Sequence, residues 1–199
     1  MTEIDVVLLD LDGVVRHFDP AHVAGVEERH GLAPGALMAA AFESELIESV
    51  VTGQTSRDEW CAEVGRRLGS RPAAEEWLSV RGEVDELMLE LVDTLRAGGV
   101  TVAILTNGTD TIPEEMRELG VDRRVDAIFN TAEIGFAKPD RRAFEHVVRA
   151  LDVDPTRVFF TDDSPGKLAG AVELGMTAEL FTGVAAFRGT LERLGLLDP

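Results

Sequence analysis

Four short β-rich apolar runs constrain this chain more than any other feature: Ile4–Leu9, Val100–Leu105, Ala127–Phe129 and Val158–Phe160. Each is about the length of a strand buried on both faces, and each stops at polar residues. Thr177–Phe181 is a fifth such run. Helical patterns lie between them at Glu83–Arg96, Glu114–Leu119, Arg141–Leu151 and Lys167–Leu174, with Gly98 and Gly175 placed to cap two of their ends. Strands that alternate with helices cannot pair as hairpins. They predict an α/β fold with a doubly wound, parallel, Rossmann-like sheet of five or six strands.

The alternation is interrupted once. Between about Arg16 and Gly82 no strand pattern occurs, and Pro20–His30, Gly35–Phe42, Ser56–Leu68 and Ala73–Val80 read as helices separated by turn residues. Asp19-Pro20 is a helix start with proline in its first turn, and Ser56 with Glu59 resembles a capping box. The expected organisation is an α/β core formed by residues 1–14 and 83–199, with residues 15–82 inserted after the first strand as an all-helical cap.

Charge and cysteine usage narrow the function classes. Acidic residues outnumber basic ones 37 to 19, and the net charge of −18 repels nucleic-acid backbones and anionic membranes, so neither is expected as a partner. The single Cys61 cannot form an internal disulfide and reads as a core residue, and the first residues carry no export signal. A soluble cytoplasmic protein, monomer or homodimer, is expected. Arginine supplies all but two of the basic residues; the two lysines are Lys138 and Lys167.

In an open parallel sheet, ligands bind beyond the carboxyl ends of the strands. Those ends read Asp10-Leu11-Asp12-Gly13, Thr106-Asn107-Gly108 and Thr161-Asp162-Asp163-Ser164, with Lys138-Pro139-Asp140 before a helix. Four carboxylates in one confined site cannot all stay ionised without a cation. Hard oxygen donors suit Mg²⁺, whereas His17, His22, His30 and His146 have no metal-ligand spacing for Zn²⁺. The Thr106 hydroxyl, the Lys138 ammonium and backbone N–H groups could then hold a phosphoryl group. Each segment has a plainer reading: Asp-Gly is a common turn, and Asp163-Ser164-Pro165 is a good helix start. Together and in this order, coincidence is the poorer explanation.

In their order along the chain, DLDGVV, ILTNG, KPD and FFTDDS resemble the four motifs of the haloacid dehalogenase superfamily, and the helical insert is similar to that family's cap. The cap size and the DDS form resemble the branch of sugar-phosphate phosphatases and of the epoxide hydrolase N-terminal phosphatase domain. The resemblance implies Asp10 as nucleophile, giving an aspartyl-phosphate, and Asp12 as acid and then base. It implies Mg²⁺ held by Asp10, the Asp12 backbone carbonyl and Asp163, with Asp162 holding a bound water. It also implies a phosphoryl group gripped by Thr106 and Lys138, with the Asn107 amide and Gly108 beside it. The dehalogenases themselves look different at the position of Asp12, so the expected activity is a Mg²⁺-dependent phosphatase acting on a small phosphorylated metabolite, sugar phosphates among the candidates.

Substrate choice is expected to lie in the cap, where Glu43, Glu45, Arg57 and Trp60 are candidate contacts and His17 follows the first motif. Competing readings are a phosphomutase, a phospho-accepting signalling domain and a regulatory binding protein on the same fold. Signalling receivers place their acidic pair at the first strand and the acceptor Asp mid-chain, an order that this chain lacks.

Overall fold

A computed structural model describes residues 3–198, so residues 1, 2 and 199 of the expected core lie outside the described residues. The chain opens with β1 (Val6–Leu9) and a two-residue strand β2 (Arg16–His17). Five helices follow: α1 (Pro20–Arg29), α2 (Ala36–Ala41), α3 (Ser44–Val51), α4 (Arg57–Leu68) and α5 (Arg71–Trp77). A second two-residue strand, β3 (Glu83–Val84), precedes α6 (Glu86–Ala97), β4 (Thr101–Thr106) and α7 (Ile112–Glu118). The remainder is β5 (Ala127–Asn130), α8 (Thr131–Ile134), α9 (Arg141–Leu151), β6 (Val158–Asp162), α10 (Ala169–Leu174), β7 (Thr177–Leu180) and α11 (Val184–Arg193).

Five strands form one parallel sheet in the order β5-β4-β1-β6-β7. The first strand in sequence is therefore central, with Val6 opposite both Thr101 and Val158. Its residues alternate between two cores, because successive side chains of a strand point to opposite faces. Val7 and Leu9 join Met88, Leu91, Ile112, Phe187 and Leu191 on one face. Val6 and Leu8 join Phe144, Val147 and Ala171 on the other. Helices thus cover both faces, which is the doubly wound arrangement expected from the continuous apolar runs. The chain winds outward from β1 through β4 to β5, then crosses to β6 and β7 on the other side. That reversal puts the topological switch point at the carboxyl end of β1, where such sheets bind ligands.

The inserted helices carry small cores of their own. Ala41, Leu46, Val50, Trp60, Val64 and Ala74 form one, and Val26, Leu37 and Ala73 another. Local capping explains their boundaries: Ser56 and Glu59 form a complete capping box at α4, and Ser70 caps α5.

Two expectations need correction here. The segment 15–82 is not all helical, because Arg16–His17 pairs antiparallel with Glu83–Val84 where the chain leaves and re-enters the sheet region. Two-residue strands are too short to carry a hydrophobic period. For the same reason the helix expected over Glu83–Arg96 begins only at Glu86, with the Asp85 carboxylate accepting from the Met88 N–H. Among the described residues no helix is long and apolar enough to cross a membrane.

Candidate active site

The carboxyl ends of β4, β1 and β6 lie side by side and deliver Thr106, Asp10 and Asp162 to one place. Lys138, from the loop between α8 and α9, reaches into this cluster and donates to Asp10 Oδ1 at 2.6 Å and to Asp162 Oδ2 at 2.7 Å. Its side chain is 1% exposed. The Asn107 amide holds the lysine backbone in both directions, donating to the Lys138 carbonyl and accepting from its N–H at 2.9 and 2.8 Å. The Asn107 amide, expected beside a phosphoryl group, thus also positions Lys138. The Lys167 Nζ donates to the same carbonyl at 3.1 Å. The chain's only two lysines therefore both stand at this pole, and the second is one that sequence reasoning placed merely in a helical turn.

Asp163 completes an acidic trio with Asp10 and Asp162, whose carboxylate oxygens lie within 4.8 Å of one another. Gly13 makes this approach possible: its φ is +93°, and a Cβ there would stand 2.1 Å from Asp163 Oδ2. Gly108 is needed in the same way, since a Cβ would meet Ile112 Cγ1 at 2.3 Å. The trio fits a hard divalent cation, because its donors are all carboxylate oxygens and Lys138 supplies only one positive charge against three carboxylates. Burial pushes the Asp10 carboxyl up to about 6; Lys138 opposes that rise and the neighbouring Asp162 adds to it.

Asp12 is held differently. Its carboxylate takes a forked contact from Arg16, with Nε at 2.6 Å from Oδ1 and Nη2 at 3.1 Å from Oδ2. Its side chain is otherwise open to the cavity, 44% exposed. Arg16 is 3% exposed and also donates to Glu115 Oε2 of α7 at 2.7 Å. Glu115 further accepts from Arg81 at 3.1 Å and the Thr111 hydroxyl at 2.8 Å, and lies 3.7 Å from Arg57 Nε. Burial raises the Glu115 carboxyl, yet Arg16 and Thr111 outweigh that and hold it below the usual carboxylate range. Sequence reading singled out neither Arg16 nor Glu115; an arginine four residues after a catalytic-type Asp is the signal that was available.

A cavity of about 600 Å³ opens over this pole between the sheet end and the inserted helices. Asp10, Asp12, Thr106, Asn107, Gly108, Lys138, Asp162 and Asp163 line it, as do Arg57 and Trp60 among the expected substrate contacts. The other three candidates stand away from it. Glu43 caps α3, accepting from the Glu45 and Leu46 N–H groups, and is exposed beside Arg67. Glu45 is exposed in the first turn of the same helix, and His17, half exposed, faces Asp85 at 3.4 Å. None of the three lines the cavity.

Residues 4–175 match the haloacid dehalogenase-like hydrolase family. Among curated proteins, the chain is 28% identical over 141 residues to the sesquiterpene phosphatase astK of Aspergillus oryzae, covering 68% of this chain and 71% of that protein. It is 25% identical over 183 residues to the validoxylamine A 7′-phosphate phosphatase of Streptomyces hygroscopicus subsp. limoneus, covering 86% and 82%. Among solved structures, a HAD family enzyme of Bacteroides thetaiotaomicron in complex with magnesium and inorganic phosphate superposes with a TM-score of 0.73. That pair is 22% identical and the match covers 89% of this chain and 93% of the other.

Proposed function

The chain belongs to the haloacid dehalogenase-like hydrolase family, and from that premise we propose that it is a Mg²⁺-dependent phosphatase that frees a small alcohol from its monophosphate through an aspartyl-phosphate on Asp10. The observation that carries this reading is the Lys138 ammonium set between Asp10 and Asp162, with Asp163 beside them, at the switch point of a parallel sheet. The two phosphatase relatives described above bear the names of unlike substrates, so the phosphoryl group is what such sites share.

Asp10, Asp163 and the Asp12 backbone carbonyl would hold the Mg²⁺, with Asp162 holding one of its waters. When bound, the cation supplies counter-charge to the phosphoryl oxygens and the carboxylates. Asp10 attacks phosphorus; the ester P–O bond breaks, and its electron pair leaves on the alcohol oxygen, which takes a proton from Asp12. Water then attacks phosphorus and gives a proton back to Asp12 as the Asp10–phosphorus bond breaks and phosphate departs. Lys138 and Thr106 hold the phosphoryl oxygens through both steps. The insert, residues 15–82, acts as the cap that closes over the leaving group.

Phosphate release from a panel of phosphorylated metabolites tests this reading. It should require added Mg²⁺ and disappear in excess chelator, because the carboxylate trio repels a phosphate dianion when no cation is present. Undiminished release in excess chelator contradicts it.

Asp12→Asn is expected to slow turnover about 10²–10⁴-fold through lost proton transfer. Arg16 acts through Asp12, so Arg16→Met should lower kcat about 10- to 100-fold by misplacing that carboxylate. The loss should be larger for an alkyl ester, whose alcohol must be protonated to leave, than for 4-nitrophenyl phosphate. Equal losses on both esters assign Arg16 a purely structural role.

A further inference from the structure

The cavity that holds the phosphoryl pole is charged at one end and hydrocarbon at the other. Beyond Asp10, Lys138 and Lys167 its wall is built from apolar side chains of the inserted helices, among them Met38, Phe42, Val51, Trp60 and Trp77. Three of these form an edge-to-face cluster, with ring centroids 5.9 Å apart for Phe42 and Trp60, 6.2 Å for Phe42 and Trp77, and 5.1 Å for Trp60 and Trp77. Among the described residues eight large hydrophobic side chains are exposed, and Phe18, Met38, Phe42 and Val80 open onto this one cavity. Phe42 keeps 48% of its surface exposed. Concentrated apolar exposure of this kind marks a binding surface.

Most polar groups along that wall are already engaged, the exposed Glu48 carboxylate excepted. The Trp60 indole N–H donates to the Ala41 carbonyl at 3.0 Å, and His22 Nε2 lies 3.0 Å from the Trp77 carbonyl. Arg57 donates to the Leu78 carbonyl and faces Glu115. Asp19 caps α1, and Glu48 stands exposed at the rim. A polyol pressed against such a wall would lose water from its hydroxyls with few partners to replace it.

We infer that the phosphate ester this site takes is the monophosphate of an apolar alcohol, its hydrocarbon seated on Phe42, Trp60 and Trp77, rather than a sugar phosphate. This rests on the phosphatase reading for its reaction, but the assignment of the wall can be tested apart from turnover. Trp60 and Trp77 are the chain's only tryptophans and both line the cavity, so intrinsic fluorescence reports on its occupancy.

Two measurements on the full chain with Mg²⁺ separate the outcomes. Binding of methyl-, butyl- and octylphosphonate is followed by tryptophan fluorescence, and kcat/KM is measured for methyl, butyl and octyl phosphate beside glucose 6-phosphate. Burial of methylenes predicts a gain of about threefold each, partly realised, so octyl should exceed butyl by at least about tenfold in both affinity and kcat/KM. Glucose 6-phosphate should fall at least about 100-fold below octyl phosphate. Phe42→Gln, at a ring 48% exposed, should reduce the octyl-to-butyl ratio about fivefold or more. Chain-length-dependent binding with no turnover of any ester would refute the phosphatase reading and leave the apolar wall standing. Turnover with no chain-length preference, or with glucose 6-phosphate the best ester, overturns the inference and leaves the phosphatase reading intact.

Discussion

Asp10→Asn is expected to abolish phosphate release, by about 10⁴-fold or more, while making the cation-free protein more stable at neutral pH. An amide is not a nucleophile toward phosphorus, and no other group in the cluster stands in its place. The stability change follows from the buried carboxyl. Asp10 titrates near 6 in the folded chain against an ordinary value of 3.8, so between these values the folded state holds a proton that the unfolded state has lost. Stability from this group is therefore present below about pH 4 and is lost as the pH rises through 6. Replacing the ionised carboxylate by a neutral amide removes that cost, a gain of about 1–3 kcal/mol at pH 7.5. Thermal unfolding of both proteins in chelator, repeated at pH 4.5 and 7.5, checks it: the gain should be about a third as large at the lower pH. A destabilised variant at pH 7.5 would mean that the Lys138–Asp10 ion pair outweighs the burial of the charge.

The second large effect is expected at Lys138. Its ammonium lies against two buried carboxylates, and Lys138→Met leaves the Asp10 and Asp162 side chains, 12% and 1% exposed, without that counter-charge. Breaking one side of a buried ionic cluster costs about 3–5 kcal/mol, and the loss of a positioned donor to the phosphoryl group costs a further ~10²–10³ in rate. Lys138→Arg separates charge from geometry. A planar guanidinium does not fit where a compact ammonium touches both carboxylates, so this exchange should also impair turnover. Full activity in the Arg variant would reduce Lys138 to a source of diffuse charge. Unfolding in chelator and phosphate release with Mg²⁺ measure the two consequences.

What was legible in the sequence is what repeats or is strictly local. The buried strands and the polar residues closing them are visible because an apolar run must end where the chain meets solvent, and the order of the motifs along the chain identifies the site. Several elements were not legible. Helix α3 ends in consecutive valines and is capped by Glu43, so its composition resembles a loop or strand rather than a helix. Helix α11 is preceded by Gly183, which offers no side-chain cap, and contains Gly189. The β2–β3 pairing joins residues far apart in sequence, with too few residues in each strand for periodicity to register. The same distance hid the link from Arg16 to Glu115, two residues that become neighbours only through the fold. Glu43 and Glu45 show why cap residues are hard to place from sequence: an acidic residue at a helix start carries the same letters whether it caps the helix or faces a cavity.

Covalent trapping tests the central claim most directly. The protein is mixed with a turned-over phosphate ester and Mg²⁺, quenched in acid within a single turnover, digested and mapped by mass spectrometry. The phosphoryl group should appear on the peptide that contains Asp10, at Asp10 itself, and be absent from Asp10→Asn. A phosphoryl group on any other residue, or turnover with no trapped phosphoprotein while the quench captures bound substrate, would contradict Asp10 as the nucleophile.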